Sequence, residues 1–135
     1  MLVKASIVHL DSLEKLSVQW NPSSYSVSRD VARGEIAPGA PDPDARSSLR
    51  AERFETVLFL DATGEEGEAR NARRDVDKLE RWSEPSRDTG LPPRLLFSWG
   101  PFSFRGSLEE ISEEWIRFDP DGTPVRGRIA ITLRR

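Results

Sequence analysis

Apolar and polar residues alternate along the first part of the chain, and this two-residue period is typical of half-buried strands. The alternation runs through residues 2–8 and again through residues 16–20, with a turn predicted between them at 11–14. Asn21-Pro22 ends the second strand, because proline has no N–H for a strand ladder and keeps its predecessor extended. A third strand is predicted to resume at 25–28.

The middle of the chain changes from strand to helix and back to strand. Residues 53–60 are rich in β-branched and aromatic types and predict a strand. Apolar residues then recur at three- and four-residue spacing over residues 68–83, which predicts one amphipathic helix ended by Pro85. We expect this helix to pack on the sheet through Val76, Leu79 and Trp82. A short apolar strand is predicted at 95–99.

Residues 107–118 fit two different elements. Their apolar positions fall at helical spacing, and Ser107-x-x-Glu110 resembles a capping box. The segment after them alternates over residues 125–134 and predicts a strand. A turn at Asp119-Pro120-Asp121-Gly122, where glycine can adopt a positive φ, requires another strand before it. We therefore assign a strand over residues 111–118, against the local helical periodicity.

These elements predict an α+β fold that is mainly β, with a single domain over residues 1–135. One helix beside a run of antiparallel strands is typical of a barrel or sandwich with a flanking helix. The length fits one modest core. Because aromatic side chains in strands bury large areas, four of them are expected in that core: Trp20, Phe97, Trp99 and Phe104.

Residues 31–48 form the least core-like stretch, with prolines and a glycine among charged residues. Two interpretations stay open for this segment. It is either a flexible surface loop or a loop that becomes ordered only against a neighbouring subunit. Long loops in compact domains are uncommon without a functional reason, which is why the second interpretation is kept.

Composition narrows the class of protein. Charged residues make up 32% of the chain and hydrophobic residues 36%, typical of a globular domain with a charged surface. The formal net charge of −3 gives no electrostatic reason to expect nucleic-acid binding. No apolar run approaches the roughly 18 to 20 residues of a membrane-spanning helix, and the N-terminus does not resemble a signal peptide. We expect a protein folded in the cytoplasm, without membrane insertion.

Candidate chemistry is sparse in this sequence. The absence of cysteine excludes disulfides, zinc–thiolate sites and thiol catalysis. His9 is the single histidine, so one chain cannot supply a two-histidine metal site. Asp119 and Asp121 lack the further ligands and the terminal glutamate of an EF-hand loop. Since nucleotide-binding glycine loops and nucleophile elbows are also missing, we predict no enzyme activity, no metal and no cofactor.

Five short signatures occur in a fixed order along the chain. They are Trp20-Asn21-Pro22-x-x-Tyr25, Phe54-x-Thr56-Val57-x-Phe59-Leu60-Asp61, Pro93-x-x-x-Phe97-x-Trp99-Gly100, Phe104-x-Gly106 and Phe118-Asp119-x-Asp121-Gly122-x-Pro124-Val125-Arg126. Their joint order and spacing resemble the tube-like domain in baseplate proteins of contractile injection systems, the phage-tail-like particles of bacteria. The resemblance spans residues 15–134, nearly the whole chain.

The resemblance implies a β-barrel or sandwich with one helix, six copies of which form a ring. Within the family, the likeness points to the baseplate subunit that caps the spike and starts the inner tube. Such subunits often carry a LysM module after the tube-like domain, and none is expected here because the sequence ends at Arg135. The implied partners are further copies of the chain, a spike or hub protein, the inner tube protein and baseplate wedge proteins.

Two other functions stay open. One is an inner tube subunit that polymerises into stacked hexameric rings, and the other is a stand-alone binding module or hydrolase that shares the fold. For the subunit interface we predict Arg126, Arg128 and Arg134 of the last strand, with Glu35, Asp42 and Arg46 of the long loop. The three arginines share one strand face, which is a solvated face, a subunit contact or a lumen-facing stripe.

Overall fold

The computed structural model describes residues 2–31, 51–63 and 67–135. Within them lie seven strands and one helix, and every strand pair is antiparallel. In chain order these are β1 (Ser6–His9), β2 (Lys15–Ser17), β3 (Tyr25–Arg29), β4 (Glu52–Asp61), α1 (Gly67–Trp82), β5 (Arg94–Trp99), β6 (Phe102–Phe118) and β7 (Pro124–Arg134). The predicted α+β class, mainly β with one helix, is confirmed.

One sheet contains all seven strands, in the order β2-β1-β5-β6-β7-β4-β3. The long strand β6 divides this sheet into two halves. Its first part pairs with β5 as far as Ser107, and its second part pairs with β7 from Ser107 onward. We call β2, β1, β5 and the first part of β6 the N-half, and the second part of β6 with β7, β4 and β3 the C-half.

The two halves pack against each other through aromatic side chains. Phe54 of β4 and Phe97 of β5 have ring centroids 4.6 Å apart, although two strands lie between β4 and β5 in the sheet. Phe104 of β6 lies 5.5 Å from Phe54. All three rings are buried, and their burial is a large favourable term in the folding free energy. The sheet therefore folds over on itself, as a sandwich does.

The sheet is not a closed barrel, so the barrel alternative predicted from the sequence is wrong. Within the described residues, β2 and β3 are edge strands that pair with one neighbour each. On the side of the sheet where Gln19 meets Asp61, side-chain hydrogen bonds and no strand ladder of the described residues link the two halves. Gln19 Nε2 donates to the Asp61 carbonyl at 3.0 Å, and Gln19 Oε1 accepts from the Asp61 N–H at 2.9 Å. The strand pairing stops where the chain bends toward Asn21-Pro22.

Asn21 has a larger structural role than the turn residue predicted from the sequence. Its Oδ1 accepts a hydrogen bond from the Ala5 N–H at 2.8 Å, and its Nδ2 donates to the Val3 carbonyl at 2.9 Å. A side-chain amide carries the same donor and acceptor as a peptide group. The Asn21 side chain therefore makes the hydrogen bonds to Val3 and Ala5, just before β1, that a neighbouring strand would otherwise make.

Helix α1 packs on the core through the three residues predicted for this contact. Leu79 and Trp82 are buried, and Val76 is partly buried against the core. The end of the helix lies over the turn between β1 and β2, where Lys78 Nζ donates to the Lys15 carbonyl at 2.9 Å. Arg81 forms an ion pair with Glu14 at 3.3 Å. The hydrogen bond from Arg81 is the largest of the contributions that lower the pKa of Glu14.

The strand predicted at 111–118 is present, and it is longer than predicted. It begins at Phe102, so that Phe104-x-Gly106 lies in the same strand. Gly122 has φ of 90°, and the predicted turn is closed by a hydrogen bond from the Asp119 N–H to the Thr123 carbonyl at 2.8 Å. The need for a hairpin partner therefore decided the assignment correctly, against the helical periodicity.

One of the four aromatic residues predicted in the core differs from that prediction. Phe97 and Phe104 are buried as expected. Trp99 is partly buried, packs against the core, and donates its indole N–H to the Val3 carbonyl at 3.1 Å. Trp20 is 47% exposed, because β2 ends at Ser17 and Trp20 lies in the bend that follows it. Its prediction as a core residue is wrong.

Candidate functional site

The C-half has one face turned away from the core, which we call the outer face. Along β4 and β7, buried positions alternate with positions on this face. The outer face comprises Glu55, Val57 and Phe59 of β4, Ser112, Glu114 and Ile116 of β6, and Arg126, Arg128, Ala130, Thr132 and Arg134 of β7. All three arginines predicted for a subunit interface therefore lie on one face, as the alternation of the last strand predicted.

Carboxylates on neighbouring strands compensate two of these arginines. Arg126 forms an ion pair with Asp61 of β4 at 2.9 Å. Arg128 lies 3.5 Å from Glu114 of β6, a looser contact between two well exposed side chains. Arg134 is exposed at the other end of the strand. The outer face is consequently a surface of mixed charge.

The two paired arginines are held differently. Asp61 also accepts a hydrogen bond from the Thr63 N–H at 2.9 Å, and Arg126 Nε donates to its other oxygen at 3.1 Å. Hydrogen bonds from Thr63, followed by Arg126, lower the pKa of Asp61 despite the opposing effect of burial. Arg126 is thus fixed by its own sheet, whereas the guanidinium of Arg128 remains available at the surface.

A small apolar groove opens at one end of the outer face, and we call it the Trp20 groove. Its exposed apolar residues are Trp20, Phe59, which is 42% exposed, and Ile116, which is 58% exposed. The groove has a volume of about 230 Å³ and is also lined by Arg126 and Arg128. Three large apolar side chains exposed together on a charged sheet face are typical of an interaction surface.

A long unpaired strand edge borders the same half of the sheet. The ladder between β5 and β6 ends with the hydrogen bond from the Leu108 N–H to the Pro93 carbonyl at 2.9 Å. Beyond it, residues 109–118 pair with β7 on one side, and no strand of the described residues pairs with them on the other. We call this the distal edge. Long exposed edges are templates for pairing with another chain.

Comparison with known proteins identifies the family. The model for contractile injection system tube proteins matches residues 3–135. The chain belongs to this family. No curated protein matches the chain. It is therefore a structural component of a contractile injection system, and the predicted resemblance to the tube-like domain of these systems is confirmed.

A tube component assembles with copies of itself and with other parts of the particle. The outer face and the distal edge are therefore candidate contact surfaces in that assembly. In the part of the chain that the structure describes, no cluster of three or more acidic or histidine side chains could hold a metal ion. The single described helix is too short and too polar to cross a membrane.

The sequence predicted the three arginines of the outer face but not the Trp20 groove or the distal edge. Glu35, Asp42 and Arg46 lie outside the described residues, so their predicted contact stays a prediction. The Trp20 groove was missed, because it forms from residues of four separate segments. The distal edge was missed as well, although the lack of alternation in residues 109–118 was a signal for a strand not packed on a core.

Proposed function

We propose that this protein forms a homohexameric ring that joins the spike or hub to the inner tube and starts tube assembly. The membership of the tube family supports a ring-forming role. The five signatures support the more specific role of a baseplate adaptor, because they resemble the subunit that caps the spike. The partners of this ring are the spike or hub protein below it, the inner tube protein above it, and baseplate wedge proteins around it.

The observation that carries the ring is the open form of the C-half. In the part of the chain that the structure describes, this half ends in two different edges, β3 on one side and the distal edge on the other. Pairing β3 of one copy with the distal edge of the next would continue the antiparallel sheet from subunit to subunit. A contact between two different edges is heterologous, and such contacts generate a ring when the rotation closes.

In this ring the outer face lines the channel or meets the next layer, because the opposite face is filled by the hydrophobic core. The mixed charges of the outer face are compatible with a channel lining and with a contact to the next layer. Assembly takes place in the bacterial cytoplasm, and the ring then remains part of the injection particle.

The chain contains no cysteine, so disulfide trapping has a clean background. Ser26→Cys in β3, which lies on the outer face opposite Glu55, would be combined in turn with Ser112→Cys and Glu114→Cys on the same face of the distal edge. Paired edges bring Cα atoms within the roughly 4.4–6.8 Å that a disulfide spans. We expect oxidation to yield a ladder of linked chains that ends at the hexamer. Ser26→Cys with Glu84→Cys, which lies after α1, is the matched control and should remain unlinked.

Electron microscopy separates the adaptor from a tube subunit. An adaptor gives single rings in isolation and one ring density between spike and tube in whole particles. Filaments of stacked rings, or density repeated along the tube, would support the alternative of an inner tube subunit. A monomeric appendage away from the sixfold axis would contradict both forms of the ring proposal.

A further inference from the structure

A leucine occupies a conformation that leucine rarely adopts. Leu13 lies in the turn between β1 and β2 with φ of 62°, and it is the one residue other than glycine with positive φ within the described residues. Glycine or asparagine is the usual residue at such a position, because a branched side chain is strained there. Leu13 is also 74% exposed, so its side chain contributes little to the core of its own subunit.

The turn that carries Leu13 is well held. The Leu13 N–H donates to the His9 carbonyl at 2.7 Å, and the His9 N–H donates to the Glu14 carbonyl at 2.9 Å. The Ser12 N–H donates to His9 Nδ1 at 3.1 Å. The ion pair with Arg81 fixes Glu14 to helix α1. An apolar side chain is therefore presented to the surroundings on a rigid support, and residues held in strained backbone conformations cluster at functional sites.

The Trp20 groove has the complementary shape and chemistry. It is concave and apolar, whereas Leu13 projects and is apolar. The rim of the groove carries Arg128, whose guanidinium lies 6.0 Å from the centre of the Phe59 ring. The turn carries Asp11 two residues before Leu13, and Asp11 is exposed. Contact between the two surfaces would pair opposite charges around an apolar centre.

Leu13 cannot reach the groove of its own subunit. The two are joined by extended chain that is paired with β1 from Glu14 to Val18. At about 3.3 Å per residue, this ladder places roughly 13 Å between the turn and the segment that carries Trp20. A Trp20 groove that accepts Leu13 would therefore belong to another molecule.

We propose that Leu13 of one copy inserts into the Trp20 groove of a neighbouring copy in the assembly. This contact rests on the ring-forming function proposed above. It joins two different surfaces, so it is heterologous and can repeat around a ring. Leu13 would be the apolar anchor of the contact, and Asp11 with Arg128 would set its orientation.

The first test replaces Leu13 with asparagine, which tolerates positive φ but removes the apolar side chain. Leu13→Asn should keep or raise the melting temperature of the subunit, because the strain is relieved. It should raise the concentration needed for half-maximal ring formation by about tenfold or more, since an apolar anchor is lost. Leu91→Asn is the matched control, a leucine that is also well exposed, and it should leave assembly unchanged.

The second test exchanges the charges. Asp11→Arg and Arg128→Glu should each weaken assembly, and the double variant should recover most of the loss if the two side chains meet. Light scattering and negative-stain images would measure ring formation. If wild-type protein forms no ring, the proposed function itself fails. If wild-type protein forms rings and Leu13→Asn forms them at the same concentration, the ring stands and the contact is wrong. Absence of recovery in the double variant would likewise overturn the contact.

Discussion

A half-buried carboxyl on helix α1 gives a pH-dependent prediction of stability. Burial raises the pKa of Asp75 to about 6, and the positive charge of Lys78 opposes this rise only in part. Asp75→Asn keeps the size and polarity of the side chain and fixes it in a neutral form. The variant should therefore be more stable than the wild type wherever the wild-type carboxyl is ionised in the folded state.

The expected size of the effect follows from the pKa. A rise from 3.8 to about 6 corresponds to roughly 3 kcal/mol for a fully desolvated group. Because about half of the group remains in contact with water, we reduce this to roughly 1 kcal/mol. A raised folded-state pKa stabilises the protein below the unfolded value of 3.8, and this contribution is lost as the pH rises through 6.

Urea unfolding at pH 3.5 and pH 7.5 measures this difference. Asp75→Asn should gain about 1 kcal/mol over the wild type at pH 7.5 and little at pH 3.5. Asp77→Asn, on the exposed side of the same helix, is the matched control and should show no such pH dependence. An equal gain for Asp75→Asn at both pH values would show that burial of the charge is not the cause, and the reasoning would be refuted.

Three further variants test the packing and the outer face. Trp82→Ala should lose about 3–5 kcal/mol of unfolding free energy in urea, because the indole is 97% buried, and a loss below about 1 kcal/mol would contradict that burial. Gly127→Ala should lose roughly 2–4 kcal/mol, since an added Cβ would collide with the Glu114 carbonyl, and an unchanged melting curve would contradict this close approach. Arg126→Gln should raise the pKa of Asp61, which a carbon-detected NMR titration can follow, while stability changes by less than about 1 kcal/mol.

The N-terminal strands, β4, the helix and β7 were predictable because one face of each contacts the core. Their apolar residues repeat at the period of the element, as in β7, where five positions from Val125 to Leu133 alternate with polar ones. The second part of strand β6 does not show such a repeat of buried apolar residues. Its residues 109–118 are exposed or half-buried on both faces, with Ile111 packed against the edge of the core, so the spacing of their apolar residues does not follow a buried strand face and happened to fit a helix. The turn at residues 119–122 indicated instead that the preceding segment is a strand, because a hairpin needs a strand on each side of its turn.

The architecture beyond the elements depends on contacts between distant residues. Phe54 and Phe97 are both apolar strand residues in the sequence, but nothing local states that their strands face each other across the folded sheet. The hydrogen bonds of Gln19 to Asp61 span 42 residues and connect the halves without closing a barrel. Trp20 follows directly and is left at the surface by the same bend. Its exposure is therefore a consequence of tertiary structure and not of composition.

The charges on the distal edge favour one of two possible edge contacts for the proposed ring. Glu113 and Glu114 lie on this edge beside the apolar Ile116 and Phe118. Two distal edges that paired with each other would bring these carboxylates of one copy close to those of the other, and like charges across strands are destabilising. Strand β3 instead offers serines and Arg29. Electrostatics therefore disfavours the symmetric dimer and favours the proposed head-to-tail pairing, which is the only one of the two that leaves a distal edge open to accept β3 of the next subunit.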